Sequence, residues 1–123
     1  MIRNNTFGDC AYGGKQNAVI RFHTDDKGDG YLYKDIRIEG NVFNSFDASV
    51  LAVNKADKMI FSKNVIHCSG NYPPLYPDAP VISIENSKDV VLENNILESG
   101  FKNTLYMDDS TKKSAIIKKN KGF

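Results

Sequence analysis

One short pattern recurs along this chain and restricts what it can fold into: an apolar residue, two residues, asparagine, one residue, and another apolar residue. It reads Ile2–Asn5–Phe7, Ile38–Asn41–Phe43, Phe61–Asn64–Ile66 and Leu92–Asn95–Leu97, and a degraded copy, Ile117–Asn120, ends on Gly122 in the last apolar place. The asparagines are separated by 36, 23, 31 and 25 residues. Self-similarity at a period of roughly 20 to 50 residues marks a repeat architecture, in which each unit buries its apolar face only by stacking on the next.

The two cleanest copies, VNKADKMIFSKNVI (53–66) and IENSKDVVLENNIL (84–97), align without a gap. A second strand-like piece precedes each, SVLAV (49–53) and PVISI (80–84), and AVIRF (18–22) and NTLYM (103–107) hold the same place in their repeats. These pieces alternate in polarity and are mostly rich in β-branched or aromatic residues, the composition of strands. No stretch sustains a 3.6-residue apolar period, so no helix is expected. Three short parallel strands per repeat predict an all-β right-handed parallel β-helix of about four to five coils. A leucine-rich repeat competes, because LxxNxL is part of its signature. That pattern wants an apolar residue five places before the first Leu, where Ser87 and Ala56 stand, and it does not explain the second strand.

The asparagine finds its place in this architecture. It suits a tight turn between the second and third strands, since it tolerates left-handed backbone geometry and bonds neighbouring backbone groups. Copies in successive coils lie over one another, so their amides can hydrogen-bond along the stack. Alternation then assigns the inward rows. These are Ile20, Phe22, Leu51, Val53, Ile82, Ile84, Leu105 and Met107 on the first strands. The second strands give Ile36, Ile38, Met59, Phe61, Val90, Leu92, Ala115 and Ile117, and the third strands Phe7, Phe43, Ile66 and Leu97. The lysine-rich ending KKSAIIKKNKGF is expected to cap the stack. The chain opens in mid-repeat, so residues 1–123 read as one β-helix domain, the C-terminal part of a larger β-helix protein whose N-terminal coils are its natural partner.

Bulk properties exclude several classes. Sixteen basic and fifteen acidic residues leave a formal net charge of +1, which favours no nucleic-acid partner. No apolar run approaches the roughly 18 residues of a membrane span. Cys10 and Cys68 fall in equivalent loops two coils apart, about 10 Å at 4.8 Å per rung, which is too far for an unstrained disulfide. Both are expected as free thiols, and neither has the companion that zinc binding needs.

Candidate chemistry concentrates on the outward residues of the first strand. Its middle row is Arg21, Ala52, Ser83 and Tyr106, and its end row is His23, Asn54, Glu85 and Asp108. Glu85 and Asp108 fall on adjacent rungs, a spacing near the roughly 5 Å of a retaining glycosidase pair. One carboxyl of such a pair should hold its proton more tightly. The plainer alternative is two solvated residues at the start of a turn. LYMDDS (105–110) adds Asp109, and these paired aspartates resemble those of polygalacturonase-type hydrolases, although that family's NTD, GHG and RIK elements are absent. The candidate catalytic residues are therefore Glu85, Asp108 and Asp109. The loop NYPPLYPDAP (71–80) borders the same sheet, and Tyr72 and Tyr76, like Tyr12, could stack on a pyranose ring or pack the loop onto the barrel. Arg21, His23, Tyr72, Tyr76 and Tyr106 are the candidate substrate-binding residues. HTDDKGDGY (23–31) imitates a calcium loop, but Lys27 stands where a ligand is required, so no metal and no cofactor are expected. His23 and His67 have no evident triad partner.

IRNNTF, IEGNVF, FSKNVI and LENNIL together resemble the repeats of pectate-lyase-like parallel β-helix proteins over nearly the whole chain. RNNTFGDC, VVLENN and the lysine-rich end resemble the C-terminal coils of the bacterial α-1,3-galactosidases of glycoside hydrolase family 110. That resemblance implies inverting, metal-independent removal of terminal α-1,3-linked galactose from an oligosaccharide or polysaccharide, by a secreted or periplasmic enzyme. No catalytic motif of that family is matched residue by residue, so its acids could lie in other coils, and this piece would be one wall of the sugar cleft, inactive by itself. The alternatives are a non-catalytic carbohydrate-binding or adhesin-like β-helix, and a polysaccharide lyase. A lyase would need a basic residue and usually calcium, which only Arg21 and the DxKxDG loop offer.

Overall fold

The structure is a computed structural model that describes residues 1–10, 18–24, 28, 30–45, 49–71, 76–98 and 100–123. Three parallel sheets stack along one axis, and every coil contributes strands to them. Sheet 1 contains β3 (Ala18–Phe22), β6 (Ser49–Asn54), β9 (Ile82–Glu85) and β12 (Leu105–Met107). Sheet 2 contains β1 (Ile2–Arg3), β4 (Tyr33–Glu39), β7 (Ala56–Ser62), β10 (Lys88–Glu93) and β13 (Ile116–Lys118). Sheet 3 contains β2 (Thr6–Gly8), β5 (Val42–Ser45), β8 (Val65–Cys68) and β11 (Ile96–Leu97), and a bridge from Ile96 to Lys121 extends it by one rung. Each strand pairs only with its counterparts in neighbouring coils, which is the parallel β-helix; no horseshoe of helices is present among the described residues.

Register aligns the apolar residues into columns. Ile20, Leu51, Ile82 and Leu105 stack on sheet 1, with Phe22, Val53, Ile84 and Met107 beside them. Ile38, Phe61, Leu92 and Ile117 stack on sheet 2. Phe7, Phe43, Ile66 and Leu97 stack on sheet 3, where the rings of Phe7 and Phe43 lie 5.0 Å apart and nearly parallel. The central coils bury these side chains almost completely, and each such burial contributes about 1.5–3 kcal/mol. Val50 and Val81 are also buried, although simple alternation would turn them outward.

The asparagines form a continuous ladder. The backbone N–H of Asn5 donates to Asn41 Oδ1 at 2.9 Å, Asn41 to Asn64 at 2.9 Å, Asn64 to Asn95 at 3.0 Å, and Asn95 to Asn120 at 3.0 Å. Each side-chain Nδ2 donates to the same oxygen, at 2.9–3.2 Å. Each of Asn41, Asn64, Asn95 and Asn120 also donates through Nδ2 to a backbone carbonyl: Ile2, Ile38, Phe61 and Leu92. One expectation is corrected. The left-handed backbone sits on the residue before each ladder asparagine: Asn4, Gly40, Lys63, Asn94 and Lys119, with φ between 55° and 68°. The turn is made there, which leaves the asparagine free to aim its amide along the axis.

Three further differences appear. A single helical turn, α1 (Asp109–Lys112), follows β12; it is too short to leave an apolar period. A hydroxyl ladder that the sequence did not suggest runs beside the first corner: Thr111 Oγ1 accepts from the Ser87 N–H at 3.1 Å, and Ser87 Oγ from the Ala56 N–H at 3.0 Å. The lysine-rich ending closes the asparagine ladder and packs Phe123 against the core. It leaves Ile117 48% exposed, so it covers the end of the inward column only in part.

Candidate functional site

The outer face of sheet 1 carries a cleft of about 400 Å³, lined by Arg21, His23, Asn54, Ser83 and Glu85 together with Ala52, Ser49, Ala79 and Pro80. Its floor follows from register. Arg21, Ala52, Ser83 and Tyr106 are successive partners across β3, β6, β9 and β12, and Asn54 is the partner of Glu85. Small residues at positions 52 and 83 leave the space that the flanking polar side chains surround. Residues 79–80 wall one side, pinned where the Ser49 hydroxyl donates to the Pro80 carbonyl. At the other end the Tyr33 hydroxyl donates to the His23 carbonyl, and the Lys55 ammonium, nearly buried, donates to the carbonyl of Gly28.

The candidate residues divide into those the cleft gathers and those it does not. Arg21, His23 and Glu85 line it. Glu85 is exposed, and no described residue bonds its carboxylate. Tyr106 is 46% exposed on the rung beyond Ser83 and lies outside the cleft lining. Tyr76 is half-buried, and its carbonyl accepts from the Ala79 N–H at 3.1 Å, which bends the chain into the cleft wall. Tyr72, Tyr12, and Asp25, Lys27 and Asp29 of the DxKxDG segment lie outside the described residues. Among the described residues no cluster of three His, Cys, Asp or Glu is arranged to hold a metal.

Of the two carboxylates on adjacent rungs, Asp108 is bonded within its own corner. Asp108 is the N-cap of α1: its Oδ1 accepts from the Thr111 N–H at 3.0 Å and from the Ser110 hydroxyl at 3.2 Å. Its Oδ2 accepts from the Asn86 N–H at 2.8 Å. Burial pushes its pKa upward, but these bonds together outweigh burial and hold it below the usual carboxylate value. The expected proton-retaining group is therefore not Asp108, which is ionised and committed to the backbone. Asp109 is exposed in the first turn of α1, outside the cleft lining.

Asn54 was not singled out as a site residue. It lines the cleft beside Glu85, and its Oδ1 accepts from Asn86 Nδ2 at 3.0 Å. The signal that could have found it is its place in the end row, between His23 and Glu85. His67 has a partner after all: its Nδ1 contacts Glu98 Oε2 on the outer face of sheet 3, away from the cleft. Cys10 and Cys68 are both free thiols.

This architecture makes the chain a parallel β-helix protein. Its distant homologues are α-1,3-galactosidases. The chain is 33% identical over 102 residues to α-1,3-galactosidase A of Bacteroides fragilis, a match covering 80% of this chain and 17% of that protein. It is 29% identical over 92 residues to α-1,3-galactosidase B of Bacteroides thetaiotaomicron, covering 74% of this chain and 15% of that protein. A match to α-1,3-galactosidase B of Phocaeicola vulgatus spans 67 residues at 33% identity. The chain thus corresponds to less than a fifth of the length of these relatives. No family model and no solved structure matches it.

Proposed function

We propose that these coils form one wall of the sugar cleft of a glycoside hydrolase that removes terminal α-1,3-linked galactose. The observation that carries this reading is the cleft over sheet 1, where a cation, an imidazole, a carboxamide and an unbonded carboxylate converge on a floor of small residues. A sugar offers hydroxyls that both donate and accept, and such a mixed polar lining satisfies them. The relatives named α-1,3-galactosidases supply the linkage.

In this reading Glu85 is the carboxylate that reaches substrate, and Arg21 and His23 bind sugar hydroxyls. Asp108 fixes the corner through Asn86 and α1 and transfers no proton. Inverting hydrolysis uses an acid and a base about 6.5–9.5 Å apart. Glu85 supplies one of them; the other is Asp109 or a residue of other coils. The occupied carboxylate of Asp108 also favours a second reading, a sugar-binding β-helix without catalysis. Turnover separates the two. Glu85→Gln in the hydrolase that carries these coils should lower release of galactose from an α-1,3-linked disaccharide by about 10²-fold or more, with sugar binding retained. Undiminished turnover would remove Glu85 from catalysis and favour the binding module.

A further inference from the structure

We infer that Asn54 is a sugar-hydroxyl donor and specificity residue of this cleft, and that Asn86 is the positioning residue that aims it. The inference rests on the sugar-cleft reading and deepens it.

Asn54 ends β6 on the row that overhangs the cleft, with Glu85 as its register partner one rung away. A carboxamide carries one acceptor oxygen and one two-proton donor. The oxygen of Asn54 is already used, by Asn86 Nδ2 at 3.0 Å. With that bond made, Nδ2 is on the other side of the amide, and no described residue bonds it. Asn86 is itself held. Its backbone is left-handed, with φ 50°, and its N–H donates to Asp108 Oδ2 at 2.8 Å. Asp108 in turn caps α1 through Thr111. A connected series thus runs from the helical turn to Asn86 and on to Asn54, and its last group is a pre-oriented donor.

The neighbouring Glu85 carboxylate can only accept. A donor and an acceptor on adjacent rungs, about 4.8 Å apart at the backbone, complement two neighbouring hydroxyls of a pyranose: one accepts from Asn54 Nδ2 and the other donates to Glu85. A site built to bond a hydroxyl rejects the analogue that lacks it, because a polar group is then left unpaired.

Calorimetric titration of methyl α-galactoside into the chain and its variants tests this, with thermal unfolding of each variant as the control for folding. Asn54→Ala should weaken binding by about tenfold, since a lost hydrogen bond is worth about 1 kcal/mol or somewhat more. Asn54→Asp replaces the donor with an acceptor and should do the same, and it reads the donor if the alanine variant fails to fold. Asn86→Gly keeps the left-handed backbone but removes the amide. It should shift the Asn54 side-chain NH₂ resonances in the free protein and weaken binding several-fold at an unchanged unfolding midpoint. Full affinity in both Asn54 variants overturns the donor assignment while leaving the cleft in place. Unmoved Asn54 resonances in Asn86→Gly overturn the positioning role. Absence of galactoside binding by the wild type overturns the cleft reading itself, and the assignment with it.

Discussion

At the scale of single residues, the ladder asparagines show how one side chain can satisfy a whole turn. Asn64 is fully buried, donates to Ile38 O and Asn95 Oδ1, and accepts from both nitrogens of Asn41. Replacing it by alanine strands several buried polar groups, each costing about 1–3 kcal/mol. Asn64→Ala should therefore lose about 3 kcal/mol or more of unfolding free energy in urea. Asn5→Ala, at the exposed end, should lose much less. Equal losses would mean that burial does not set the worth of a rung. The ladder itself was legible in the sequence, because apolar residues at fixed offsets make a buried asparagine conspicuous. The left-handed position was not, because Asn4, Gly40, Lys63, Asn94 and Lys119 share no chemical type. There the coil imposes the conformation, which Gly40 meets at no steric cost, Asn4 and Asn94 tolerate, and Lys63 and Lys119 adopt against their preference.

At the scale of elements, alternation recovered the strands of sheet 1 and their outward rows, and register then brought Arg21, His23 and Glu85 into one cleft. What alternation could not show was the end of β12. In the coil before, the chain turns from β9 into β10 within two residues, whereas here α1 fills the corner between β12 and β13, because Asp108 bonds the N–H of Thr111. One turn of helix leaves no periodic trace, and an acid followed three residues later by threonine reads equally well as a loop. The capping role has a consequence with pH. The folded state holds the Asp108 carboxyl below its ordinary value, so the ionised form stabilises the fold above the unfolded value of about 3.9. That contribution disappears as pH falls through the lowered folded value. Asp108→Asn should therefore be less stable than the wild type at neutral pH, and the gap should narrow in acid below about pH 4. Unfolding free energies measured across that range check this; a gap that widens in acid would contradict the assignment of the cap.

At the scale of the whole molecule, stacking makes each coil depend on its neighbours, so the ends differ from the middle. Phe43, Phe61 and Leu92 are fully buried, whereas Phe7 at one end is half-buried and Ile117 at the other is 48% exposed. The same stacking turns residues 31 apart, such as Asn54 and Glu85, into neighbours, and it is the only reason a cleft exists. Sequence periodicity made the architecture and the cleft's face legible. It could not reveal that Asp108 turns to the backbone or that Asn86 bonds Asn54, because side-chain partners at a corner depend on contacts between coils. The account therefore rests on one surface, the outer face of sheet 1, receiving a galactoside. A chemical-shift map of the isotope-labelled chain titrated with methyl α-galactoside tests it most directly. Shifts gathered at Arg21, His23, the Asn54 side-chain amide, Ser83 and Glu85 are the predicted result; shifts confined to sheet 2 or sheet 3, or none at all, would contradict it.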